Sequence, residues 1–155
     1  MKVFIENEAE SDQKNLYDEK TLEYKKTVAV SRKYPYPYGF ILNTTGADGD
    51  NVDCFVITDK ALKTGQIVEV EPIGLMEQME TSWDPDKRNV EEEDHNVLAV
   101  IPDEPVELDD GVEGKLREFI SHVFDHIPGK KVRAGNFLGR DAARDYIQRH
   151  GDKST

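Results

Sequence analysis

Hydrophobic positions change phase along this chain. Through its first two-thirds they fall in short alternating or continuous runs bounded by turn formers, at 3–5, 24–30, 38–43, 54–58 and 97–101, and such runs predict strands. The stretch 67–79 alternates for longer and is interrupted by Pro72 and Gly74, which predicts a bent or bulged strand at a barrel-like corner. Helical spacing arrives late. Leu116, Phe119, Ile120, Val123 and Ile127 form one stripe that Pro128-Gly129 stops, and a second short helix is predicted at about 141–148. Strands first and helices last predict an α+β fold, a small closed barrel with helices packed on it.

Between two of the predicted strands lies Asp48-Gly49-Asp50-Asn51-Val52-Asp53, three carboxylates in one short turn. Asp, Gly and Asn are ordinary turn formers, so a plain polar loop is one reading. The other is a cation site, because mutual repulsion of that much negative charge is most directly relieved by a metal. Oxygen donors without neighbouring His or Cys favour Mg²⁺, Mn²⁺ or Ca²⁺ over zinc. A calcium loop of the EF-hand kind is excluded: it needs an oxygen ligand fifth and Gly sixth, where this chain has Val52 and Asp53.

Composition narrows the setting. At 155 residues with 37% hydrophobic content, one domain spanning 1–155 is expected, with a core of its own. The single cysteine excludes an internal disulfide, and Cys54 in its apolar run reads as a small buried hydrophobe. No apolar run reaches membrane-span length and the start of the chain lacks a signal-peptide core, so a cytoplasmic protein with no membrane partner is expected. A net charge of −12 argues against nucleic acid as a partner. It also means that an anionic substrate approaches only where bound cations reverse the local sign.

Other features surround the turn. In Tyr34-Pro35-Tyr36-Pro37-Tyr38 the prolines enforce extended backbone, which is expected to aim all three phenols to one side, suited to phosphate oxygens or to packing an edge. Glu80 and Asp94 bracket a polar segment, 82–94, that holds the only tryptophan, Trp83; it reads as a solvated loop or a lid beside the metal. His122 and His126 lie four apart but lack the glutamate of a zinc-protease helix, so they are expected to pack on the helix rim.

Taken together, Tyr34-Pro35 with Tyr38-Gly39-Phe40, followed by Asp48-Gly49-Asp50-Asn51-Val52-Asp53, resembles the soluble inorganic pyrophosphatases of the single-domain, magnesium-dependent type. The resemblance extends through Pro72-Ile73-Gly74 and Asp94 toward the first helix. It implies a five-stranded OB-like barrel with two helices, Mg²⁺ as cofactor with Mn²⁺ as a substitute, pyrophosphate as substrate and a homo-oligomer. It further implies Asp48, Asp53 and Asp94 as innermost metal ligands, Glu80 and Glu6 as outer ones, and Asp50 as the acceptor of the water proton. Lys14, Lys26, Tyr34 and Tyr38 match substrate-binding positions.

The chain departs from the family on the phosphate side. Leu16 replaces a glutamate, Lys26 an arginine, Asn96 a lysine, and Ile127-Pro128 a tyrosine and lysine. A lysine cannot reproduce the bidentate contact of an arginine. Lys87-Arg88 and Lys130-Lys131 are the candidate replacements. Two alternatives stay open: hydrolysis of another phosphoanhydride or a nucleotide, and a catalytically weak metal-binding module.

Overall fold

The protein, in a computed structural model, is described over residues 1–82, 84–87, 90–104 and 106–152. Its strands are β1 (Lys2–Asn7), β2 (Gln13–Tyr17), β3 (Tyr24–Ala29), β4 (Tyr38–Ile41), β5 (Asp53–Val56), β6 (Ile67–Glu69), β7 (Glu71–Thr81), β8 (Glu91–Glu93), β9 (Asn96–Val100) and β10 (Val132–Leu138). The helices are α1 (Asp110–His122) and α2 (Arg140–Arg149). One sheet runs in the order β10-β7-β9-β5-β4-β1-β6, with β8 on β7, and β2 and β3 form a separate hairpin. The α+β assignment and the two helices hold. The expected five-stranded closed barrel is revised: among the described residues no ladder joins β10 to β6, so hydrogen bonds do not close the sheet.

Period-two alternation places two apolar clusters on opposite faces of the sheet. Val3, Ile5, Ile41, Cys54, Val56, Val97 and Ala99 meet Ala143 and Tyr146 of α2. Phe55, Met76, Leu98 and Val100 of the other face meet Leu116, Phe119 and Ile120 of α1. The expected bulge is present, as a register shift between Pro72 and Gly74 where β7 pairs with β9. The stretch 67–79 is two strands, because β6 pairs with β1 and β7 turns to β9 and β10.

Helix α1 begins and ends earlier than its stripe suggested. Asp109 caps the start by accepting from Val112 N–H at 2.9 Å. At the other end Ser31 intervenes: its N–H donates to Val123 O at 3.0 Å and its Oγ accepts from His126 N–H at 3.1 Å. Those groups would otherwise continue the helix toward Ile127. The β2–β3 hairpin went unread in its first strand, which is polar and only half-buried. It leans on β1, and its pairing sets Lys14 beside Val28 and Leu16 beside Lys26.

Candidate active site

The acidic turn joins β4 to β5. Gly46 N–H donates to Asp50 O at 2.7 Å, and Asp50 N–H donates to Asp48 Oδ1 at 3.0 Å, closing a tight Asx-type turn. Gly49 sits at φ +88°, a left-handed position where a side chain would be strained. Asn51 is the buried anchor: its amide donates to Ile41 O at 3.0 Å, and its Oδ1 accepts from Lys20 Nζ at 2.6 Å. Its N–H donates to Glu19 Oε1 at 3.0 Å. With the base clamped, Asp48 and Asp50 stand exposed at the tip and Asp53 opens β5 half-buried.

This turn forms one wall of a cavity of about 600 Å³. Glu6, Asp48, Asp50, Asp53, Glu80 and Asp94 line it, together with Lys14, Lys26, Tyr34 and Tyr38. Every site residue expected from the sequence therefore lines the same space. Glu19, in the turn between β2 and β3, lines it too and was missed. Its signal was only a second acid in the Asp18-Glu19 pair.

Burial and like charge give these acids unusual protonation. Burial pushes Glu6 up to about 7, against the pull of Lys14. Glu19 is pushed up to about 8 by burial and by the charges of Glu6 and Asp50. Asp53 and Asp94 are both held well above the usual carboxylate range, chiefly by burial and then by neighbouring acids. Burial works to lower the Lys14 amine, but Tyr34, Glu6, Asp53 and Glu80 outweigh it and keep the amine a cation. Its Nζ lies 5.2 Å from the centre of the Tyr38 ring. Burial raises Tyr34 and Tyr38 as well, so their hydroxyls remain donors at neutral pH.

Several expectations change here. Tyr36 does not share a side with Tyr34 and Tyr38, because the backbone bends at Pro35-Tyr36 and breaks the alternation. It packs instead within 5.9 Å of Lys115 Nζ. Glu80, expected on an outer metal, has its charge matched by the buried Lys130 at 3.0 Å. Lys130 also donates to Thr81 O, so it is turned away from a substrate in the main cavity. His122 and His126 do not converge: the first meets Asp125 at 2.8 Å and the second Ser31 Oγ at 2.6 Å. The segment 82–94 is partly ordered into β8, which pairs with β7 and places Glu92 on the cavity. Trp83 and Arg88 lie outside the described residues.

A divalent cation fits this donor set. The available donors are carboxylate oxygens, and Asp53 and Asp94 resist ionisation while no positive charge offsets their burial and their acidic neighbours. As they stand, no three His, Cys, Asp or Glu side chains among the described residues are close enough together to hold an ion. A bound cation would be held by carboxylates that close on it.

Comparison with known proteins agrees with this geometry. The inorganic pyrophosphatase family model matches residues 3–154. The inorganic pyrophosphatase of Nanoarchaeum equitans is 31% identical over 156 residues, covering 94% of this chain and 92% of its own. That of Sulfolobus acidocaldarius is 28% identical over 158 residues, covering 94% and 86%. Among solved structures, the Helicobacter pylori inorganic pyrophosphatase superposes with a TM-score of 0.83 at 25% identity, covering 97% of this chain and 90% of the other. With nearly its whole length matched, the chain belongs to the inorganic pyrophosphatase family.

Proposed function

We propose that this chain hydrolyses inorganic pyrophosphate to two phosphates with Mg²⁺ as its cofactor, acting as one domain across 1–155, in the cytoplasm and as a homo-oligomer. The observation that carries this reading is the convergence on one cavity of Asp48, Asp50, Asp53 and Asp94 with the Lys14 amine and the Tyr34 and Tyr38 hydroxyls. Pyrophosphate is a compact polyanion, and a cavity so lined accepts it only when cations bind with it.

Asp48, Asp53 and Asp94 would hold the innermost cation, with Glu6 behind them. Bound Mg²⁺ would supply charge cancellation on phosphate oxygens and acidify water at the site. Among this chain's own residues, Asp50 stands at the exposed tip of the turn and accepts the proton of the attacking water. A new P–O bond forms as the bridging P–O bond breaks, and its electron pair leaves on the departing phosphate. Lys14, fixed as a cation, steadies that charge, and Tyr34 and Tyr38 orient the phosphate by hydrogen bonding. Lys26 sits at the exposed lip as a further positive charge.

Leu16 adds an apolar surface beside Lys14, where the family has an acid. Tyr36 is held outside the cavity, which removes one aromatic that a nucleotide base would stack on. The test is phosphate release from pyrophosphate, tripolyphosphate and ATP, with and without Mg²⁺, comparing the natural chain with Asp50→Asn. Turnover of pyrophosphate should dominate, depend on Mg²⁺ and fall on the order of 10²-fold or more in Asp50→Asn. Equal rates for the two proteins would sink the assignment of Asp50, and preference for ATP would move the substrate.

A further inference from the structure

We propose that Asn96 is an oxygen ligand for the divalent cation of this cavity, a role that the lysine usual at this position cannot perform. The inference rests on the metal-site reading above. Asn96 is 2% exposed, lines the cavity, and its Oδ1 has no hydrogen-bond partner among the described residues. An acceptor buried without a partner costs free energy, so it points to a ligand that completes it.

The orientation of this carboxamide follows from its neighbours. Lys130 Nζ is paired with Glu80 Oε1 at 3.0 Å, which keeps Glu80 an acceptor. Glu80 Oε2 then takes a hydrogen bond from Gln78 Nε2 at 3.3 Å. With its amine committed, Gln78 offers only Oε1, and Asn96 Nδ2 donates to it. The chain of donors thus leaves the oxygen of Asn96, and not its nitrogen, as the open end. An unpaired oxygen attracts a cation and repels a phosphate.

Position supports the same assignment. Asn96 is the register partner of Asp53 on the parallel β5–β9 pair, and Asp94 lies two residues before it in the chain. Asp53, Asp94 and Asn96 all line the one cavity. Beside the carboxylates of Asp48, Asp53 and Asp94, Asn96 would add a neutral oxygen, a donor type that Ca²⁺ and Mg²⁺ accept. Glu80, Gln78 and Lys130 then serve behind it, fixing the direction of the ligand as outer partners commonly do.

The experiment is direct metal titration of the metal-free protein with two readouts. In the first, Mn²⁺ affinity is measured by calorimetry for the natural chain and Asn96→Leu, with roughly 10-fold weaker binding expected in the variant. In the second, the side-chain amide ¹⁵N resonance of Asn96, assigned in the natural chain by through-bond correlation to its own Cβ and backbone, is followed as Mg²⁺ is added. It should shift and saturate with the calorimetric affinity. An unmoved resonance at saturating Mg²⁺, or unchanged Mn²⁺ affinity in Asn96→Leu, would overturn the proposal. The resonance needs no core variant, so a misfolded Asn96→Leu leaves the test intact. Pyrophosphate turnover of the natural chain is scored separately: metal binding with a shifting resonance but no turnover would support Asn96 as a ligand and refute the pyrophosphatase reading.

Discussion

Glu6 should make the metal-free protein less stable as pH rises, and the size of the effect can be worked from its surroundings. Burial is the main cause of its displacement, from an ordinary 4.5 to about 7. The native state therefore holds this proton at pH values where the unfolded chain has released it. Stability is unaffected below 4.5, falls between 4.5 and 7, and carries the full penalty above 7. At 1.36 kcal/mol per pH unit, that penalty is roughly 3 kcal/mol. Glu6→Gln keeps the shape and the acceptor but has no proton to lose. In EDTA at pH 8 the variant should melt about 6 to 12 °C above the natural chain, taking 2 to 4 °C per kcal/mol for a chain of this size. At pH 4 the two should melt together. Saturating Mg²⁺ at pH 8 should shrink the gap, because the natural carboxylate then has a cation to face. Thermal denaturation followed by circular dichroism reads all three conditions. An equal offset at both pH values, or a variant less stable at pH 8, would refute burial as the cause.

Two further outcomes test parts of the structure outside the chemistry. Lys130→Met leaves Glu80 buried without its partner and should cost about 3 to 5 kcal/mol in urea denaturation, whereas adding Glu80→Gln should return most of that loss. Additive losses would mean the pair is not coupled. Gly39→Ala would drive a Cβ into the backbone oxygen of Phe4 where β4 pairs with β1, so it should lower stability by more than about 3 kcal/mol or abolish soluble expression. A variant melting within 2 °C of the natural chain would show that the strands part easily there.

Elements carried by apolar patterning could be read directly, and those carried by pairing could not. β5 and β9 are continuous apolar runs, visible because they are buried on both faces. β8 is three glutamates, Glu91 to Glu93, and is a strand only because β7 offers it a ladder. β10 passes through Gly135-Asn136 and takes a register shift after Ala134, so no alternation survives to mark it. Helix α1 opens with Gly111 and Gly114 inside it, and its N-terminal start depends on the Asp109 cap more than on propensity.

The same distinction divides the site. Asp48, Asp50 and Asp53 stand in one turn, and local sequence is enough to find them. Glu19 enters the cavity by way of a hairpin whose first strand had no signal, so its place is a tertiary fact. Asn96 was visible as a departure from the family, but its meaning depends on Gln78, Glu80 and Lys130, which arrive from β7 and from the segment before β10. A donor chain across three segments leaves no mark in any one of them.

The electrostatics of the cavity then link stability to binding. Glu6, Glu19, Asp53 and Asp94 are all held above their ordinary values chiefly by burial, and each resists ionisation while the site lacks positive charge. Lys14 is the cation this space already contains, and it faces several acids at once. On the proposed metal reading, a divalent cation held by Asp53 and Asp94 would displace protons from them, so its affinity should rise with pH. On that reading, the acids whose ionisation burial opposes in the empty fold are those a bound cation would let ionise. Replacing any of them with an amide should raise the melting temperature without metal and lower the gain that metal brings, two changes of opposite sign from one substitution.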